Sequence, residues 1–198
     1  AKSGSVAIMD PKTGAILAMA SWPTYEPSYY SKYDYEQFIN PLVSNSYEPG
    51  STFKVLTMSA GIDAGVIKPD SVCDICDKPL KIDKYTIRTW NDKYYANSNM
   101  TEVLAHSDNV GMVYVAKKLG LDPFLGYIEK FGIGKRTGID VQGEIAPSLR
   151  EKWIDLDLYT AAFGQGISVT GMQMLKAVGA VANKGVLLQP RIVDKIID

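Results

Sequence analysis

The sequence predicts an α+β fold, an antiparallel sheet with a helical cluster beside it. Three observations carry that prediction. Two short apolar runs, "SVAIMD" and "AILAMAS", flank Pro11-Lys12-Thr13-Gly14. Several segments with helical periodicity recur between Ser51 and Gly185, and a strand-like run, "RIVDKIID", follows them.

The first two runs read as a hairpin, because Pro opens the connection and Gly closes it. Residues 22–50 are irregular, broken by Trp22-Pro23, Glu26-Pro27, Asn40-Pro41 and Glu48-Pro49-Gly50. Tyr25, Tyr29, Tyr30, Tyr33 and Tyr35 crowd this stretch, either lining a groove or packing a long loop onto the body. From Ser51 a helix is expected, with Phe53, Leu56, Thr57, Ala60 and Ile62 on one face and Gly65 as its stop. Residues 72–100 read as a small β-rich excursion. Thr101 and Glu102 start a short helix, "TEVLAHS". After Ser107-Asp108-Asn109, "VGMVYVAKKLG" is a buried helix ended by Gly120. Asp122-Pro123 gives an N-cap and first helical residue for "PFLGYIEKFG". "IGKRTGIDVQGEIAPS" is loop-rich. Thr170 and Gln173 form a capping box for the last helix, which Gly185 closes.

The chain has 198 residues, 46% apolar and 22% charged, with a net charge of −1. That length supports one sizeable core, and the residues read as one domain, 1–198. The charge balance argues against a nucleic-acid partner. No apolar run reaches the roughly 18 to 20 residues of a membrane span. The chain enters strand directly at "AKSGSVAIMD", with no signal peptide, as a cut from a longer protein would. Cys73 and Cys76 are spaced C-x-x-C, and His106 is the only histidine. A four-ligand zinc site would need more, so a local disulfide or two free thiols is expected.

The chemistry concentrates in "EPGSTFK". Ser51 at a helix start lies near free backbone N–H groups and the positive end of the helix dipole, both of which favour an oxyanion. Lys54, three residues on, shares its face and is placed to reach the serine oxygen. A free lysine titrates near ~10.4 and is charged at neutral pH, so it becomes a base only if burial lowers that value. Ser-x-x-Lys alone is weak evidence. Ser107-Asp108-Asn109 adds a hydroxyl to relay a proton between Lys54 and a leaving amine, and a carboxamide to hold Lys54 and a substrate amide. Asp108 is expected to point away and cap or anchor its loop. Gly164-Gln165-Gly166 is read as substrate-lining, the glycines allowing close backbone approach; a structural turn is the competing reading. His106 is expected at a helix end or on the surface rather than as the base.

Ser-x-x-Lys and Ser-Asp-Asn are two of the three motifs of β-lactamases and penicillin-binding proteins. With "DPKTGAILAMAS", "FGIGKRTGIDVQGE", "AAFGQGISVTGMQML" and "VANKGVLLQPRIV", the chain resembles, along nearly its whole length, the transpeptidase domain of class B high-molecular-weight penicillin-binding proteins. The resemblance implies a β-lactamase/transpeptidase-like fold and a D,D-transpeptidase of peptidoglycan. Ser51 would attack the D-Ala-D-Ala carbonyl of a stem peptide and pass the acyl group to an amine of a neighbouring stem; β-lactams would acylate the same serine. It implies no cofactor and no metal. The parent protein would be membrane-anchored on the extracytoplasmic face, working with a glycosyltransferase and with division or elongation proteins.

The third motif, Lys-Thr-Gly, is expected after the second. Lys12-Thr13-Gly14 precedes Ser51 and belongs to the hairpin turn, and "KRTGI" at 135–139 is spaced wrongly. The domain is therefore expected to be incomplete and the chain alone weakly active at best. A class A β-lactamase would need a deacylating carboxylate, for which Glu144 and Glu151 are the available glutamates. A non-catalytic β-lactam sensor and an inactive structural relative are two further readings.

Overall fold

The computed structural model describes residues 2–197. The chain divides into two compact units, Ala1–Tyr47 with Phe131–Ser148 and Ser168–Asp198, and Glu48–Lys130 with Leu149–Ile167.

In the first unit, β1 (Gly4–Met9) and β2 (Ile16–Trp22) form the expected antiparallel hairpin. Asp10 organises its turn: the carboxylate accepts from Lys12 N–H and the Thr13 hydroxyl, and Gly14 N–H donates to Asp10 O at 2.9 Å. Gly14 sits at φ +74°, and a Cβ there would lie 2.4 Å from Gln189 O, so glycine is required. Lys12-Thr13-Gly14 thus serves the turn. The segment from Trp22 is irregular, with 3-10 turns at Pro27–Lys32 and Tyr35–Phe38. It then gives the short helix α1 (Pro41–Ser44), capped by the Asn40 side chain, and strand β3 (Ser46–Tyr47). Tyr25 packs edge-on against Tyr33 and Phe38, while Tyr29, Tyr30 and Tyr35 are exposed.

The second unit is mostly helical. A 3-10 turn at Gly50–Phe53 leads into α2 (Lys54–Asp63), and Gly65 at φ +71° follows its end. Phe53, Leu56, Thr57 and Ala60 are buried as expected, but Ile62 is exposed. The excursion carries the hairpin β4 (Leu80–Ile82) and β5 (Tyr85–Ile87), and Cys73 and Cys76 form a buried disulfide. Helix α3 (Met100–Ala105) is capped by Asn99 in a capping box with Glu102 and so starts one residue before Thr101. α4 (Asn109–Leu119) starts on Asp108 and ends at Gly120, φ +81°. α5 (Leu121–Lys130) begins directly after Gly120, so Asp122 lies inside its first turn rather than capping it. α6 (Asp155–Ala161) was not evident in the sequence.

Back in the first unit, β6 (Val169–Thr170) pairs with β3, and α7 (Gly171–Ala182) has the Thr170–Gln173 capping box. α7 packs on α1 over a core of Val43, Ile139 and Met172.

The architecture mixes helix and sheet, but two details differ from expectation. The described strands form three separate two-stranded antiparallel pairs, not one sheet. "RIVDKIID" forms no strand among the described residues: a single bridge joins Arg191 to Ala15, and the Asp140 carboxylate then takes Ile192 and Val193 N–H, diverting the backbone from a ladder. Asp198 lies outside the described residues.

Candidate active site

All seven residues singled out from the sequence lie in the second unit. Gly50, at φ +55°, starts the 3-10 turn that presents Ser51 at the surface while sending Phe53 and Lys54 inward. Lys54 is 1% exposed. Opposite it, Asp108 turns the chain into α4. Its carboxylate accepts from Val110 and Gly111 N–H, as an N-cap should. Ser107, just before the cap, takes a left-handed φ of +54°, which aims both its carbonyl and its hydroxyl at Lys54.

Lys54 Nζ donates to Ser107 O at 2.6 Å, to Ser107 Oγ at 3.0 Å and to Asn109 Oδ1 at 2.7 Å. Three acceptors match the three N–H bonds of an ammonium. Ser107 Oγ in turn donates to Ser51 Oγ at 3.0 Å. The link from lysine to nucleophile therefore runs through Ser107, whereas the sequence suggested direct reach from Lys54 to Ser51. Burial pushes the Lys54 pKa down to about 8, against the upward pull of the Asp108 carboxylate. A lysine at that value supplies neutral amine near neutral pH.

Asn109 is oriented from its other end, its Nδ2 donating to Arg88 O at 2.8 Å. That carbonyl belongs to the disulfide-bearing excursion. Sequence reading missed it, since a backbone acceptor leaves no side-chain signal. Gly164 N–H closes its own turn on Ala161 O, and Gly164 O accepts from Gly50 N–H at 2.9 Å. A Cβ on Gly164 would stand 2.1 Å from Gly50 O. Gly166 N–H donates to Glu48 Oε1 at 2.8 Å, and Gln165 is exposed. The 164–166 turn is thus laid against Glu48-Pro49-Gly50, immediately before the serine. Glu48 was also missed, although it opens "EPGSTFK".

His106 caps the end of α3 and stacks on Tyr95 at 4.2 Å, while the neighbouring Ser107 hydroxyl engages Ser51 and Lys54. Glu144 accepts from Thr137 N–H, the Thr137 hydroxyl and Gly138 N–H, which commits its carboxylate to a loop. Among the described residues no cluster of His, Cys, Asp and Glu could hold a metal ion.

A turn-presented serine, a buried lysine and a Ser-Asp-Asn cap are thus joined in one hydrogen-bonded chain, the motif order of the penicillin-recognising fold. Comparison with known proteins gives the family. The penicillin binding protein transpeptidase domain family matches residues 4–198, and the chain belongs to it, in its class B kind. The chain is 37% identical over 201 residues to stage V sporulation protein D of Bacillus subtilis, covering 98% of this chain and 31% of that protein. It is 32% identical over 210 residues to the peptidoglycan D,D-transpeptidase FtsI homolog of Mesostigma viride, covering 100% of this chain and 35% of that one. Among solved structures, penicillin binding protein 3 of Mycobacterium tuberculosis, complexed with aztreonam, superposes with a TM-score of 0.88 at 31% identity, covering 96% of this chain and 43% of that one. The chain spans about a third of the length of these curated relatives.

Proposed function

We propose that this chain carries the acylation site of a peptidoglycan D,D-transpeptidase. The observation that supports this reading is the chain Lys54–Ser107–Ser51, running from a buried lysine to an exposed hydroxyl.

With Lys54 neutral, the two hydroxyl hydrogens reverse: Ser51 O–H donates to Ser107 Oγ and Ser107 O–H donates to Lys54 Nζ. Ser51 Oγ attacks the carbonyl carbon of the D-Ala-D-Ala peptide bond, and its proton moves through Ser107 to Lys54. The tetrahedral oxyanion forms at the first turn of the helix, where backbone N–H groups and the dipole favour it. Collapse breaks the C–N bond. The proton on Lys54 returns through Ser107 to the leaving nitrogen, and D-Ala departs as the free amine. The Ser51 ester is then attacked by an amine of a neighbouring stem, which loses its proton to the same relay and restores the serine hydroxyl. Asn109 fixes Lys54 and offers its carboxamide to the substrate backbone. Gly164, Gln165 and Gly166 border the acyl site. A β-lactam enters the first step alike, and its opened ring stays attached, so the ester persists.

The proposed setting is the extracytoplasmic face of the cell membrane, with stem peptides and β-lactams as ligands and glycan-polymerising and division or elongation proteins as partners. No helix among the described residues is long and apolar enough to cross a membrane.

The test is intact mass of the full-length protein after penicillin treatment, with the adduct mapped by proteolysis. One adduct on the peptide holding Ser51, together with release of D-Ala from a stem-peptide donor, is expected. An adduct elsewhere, or none, overturns the reading. An adduct without D-Ala release leaves a sensor.

A further inference from the structure

We infer that Arg150 is a positioning residue for the nucleophile, acting through the 164–166 turn; this rests on the acylation reading above. Its guanidinium spans two elements. Nη2 donates to Gly166 O at 2.8 Å, and Nη1 pairs with the Asp157 carboxylate in α6. The Trp153 ring lies 5.3 Å beneath it, and the Trp153 indole N–H donates back to Arg150 O at 3.0 Å. Asp157 is fixed as well, accepting from Ile154 N–H at the start of α6. The guanidinium is therefore locked before it meets Gly166.

What it locks is the template for Ser51. One face of Gly166 receives Arg150 on its carbonyl, and its N–H reaches Glu48. Two residues away, Gly164 O holds Gly50 N–H. Gly164 and Gly166 both take left-handed φ, +80° and +70°, so the turn has little intrinsic preference for this shape and depends on its clamps. With Arg150 in place, Glu48 and Gly50 are pinned at both ends of Pro49, and Gly50 holds the φ of +55° that turns Ser51 toward Ser107. Without it, Gly166 O loses its charged donor and the Ser51 hydroxyl drifts from the relay. Misplacing a reacting group by about 1 Å costs on the order of 100-fold in rate.

The experiment measures β-lactam acylation of the full-length protein by stopped flow with a fluorescent penicillin, separating the dissociation constant of the initial complex from the first-order acylation constant. Arg150→Met is expected to lower the acylation constant by about 10- to 100-fold, with the initial dissociation constant and the final acylated fraction retained. Partial unfolding would reduce the acylated fraction instead. Arg150→Lys, which keeps a donor but lacks the fork, should recover part of the loss. Glu48→Ala should slow acylation too, and the double variant should be no slower than the worse single, because both act through Gly166. An unchanged acylation constant in Arg150→Met, a rise confined to the dissociation constant, or losses that multiply would each overturn the inference while leaving wild-type acylation of Ser51 intact. Failure of the wild type to acylate would overturn both readings.

Discussion

Two lysines, Lys54 and Lys176, sit in similar company and do different things. Each projects from a helix, each has its pKa lowered by burial, and in each case a carboxylate, Asp108 or Glu144, pulls the other way. Around Lys176 the polar groups close on one another. The ammonium donates to Thr137 O, and Thr137 and Gly138 donate to Glu144. Every bond there ends on a loop backbone or on the carboxylate that holds it. Around Lys54 the chain of bonds stays open at one end, passing from the ammonium through Ser107 to an exposed hydroxyl. A lysine drawn into the protein, a hydroxyl and a carboxylate are common to both, so residue types alone do not mark a reaction site. The open end is what supports the proposal at Lys54.

Breaking the open end should have the largest effect. Ser51→Ala removes the oxygen proposed to be acylated, and covalent labelling by fluorescent penicillin should disappear. The hydroxyl is exposed, so the unfolding free energy from urea titration should change by no more than about 0.5 kcal/mol. Residual labelling of Ser51→Ala at the wild-type rate would place the nucleophile elsewhere. Next comes Lys54→Met, which keeps the bulk of the stem and removes the proposed base. Acylation should slow by about 100- to 10,000-fold. The same change at Lys176 should leave the acylation rate of folded protein unaltered, and a comparable loss there would erase the distinction between the two lysines. Glu144→Ala tests the closed cluster from the other side. It strands the buried Thr137 hydroxyl and N–H and the Gly138 N–H, at a cost of about 1 to 3 kcal/mol in unfolding free energy. Acylation per folded molecule should be retained.

The sequence revealed the open cluster because its information is local. Ser51 and Lys54 share a turn, and Ser107 and Asn109 flank a helix cap, so spacing groups each pair, while the route from Lys54 to Ser51 through Ser107 comes from the fold. The Thr170–Gln173 capping box and the glycine stops at Gly65, Gly120 and Gly185 were legible for the same reason. What stayed hidden depends on distant backbone. The Arg88 carbonyl that turns Asn109, and the Gly166 carbonyl that receives Arg150, belong to residues whose side chains say nothing about those bonds. "RIVDKIID" misled because β-branched apolar residues make a strand only where a neighbour accepts the ladder; here Asp140 takes two of its N–H groups. Ile62 misled because the buried face of α2 includes Lys54 and Gly61, which apolar periodicity does not count.

A dependence of stability on pH, with no loss of the serine or its relay, separates the lysines by degree. Lys54 titrates at about 8 in the folded chain and near 10.5 when exposed. Between those values the unfolded chain holds a proton that the folded chain has lost. Stability should therefore rise with pH across that window, by at most about 1.4 kcal/mol per pH unit. Below about pH 8 both states are protonated, and the full cost of burying the charge is present. Lys176 is shifted in the same direction, so it contributes a slope of the same sign. Urea unfolding at half-unit steps from about pH 7.5 to 10.5, compared among wild type, Lys54→Met and Lys176→Met, resolves the two. Lys54→Met should remove most of the rise, and its residual acylation should lack the limb near pH 8 expected of the wild type. Lys176→Met should trim the stability slope and leave that limb in place. A wild-type stability that falls with pH through this window, or a limb that survives Lys54→Met, would mean that Lys54 is not the group titrating beside Ser51.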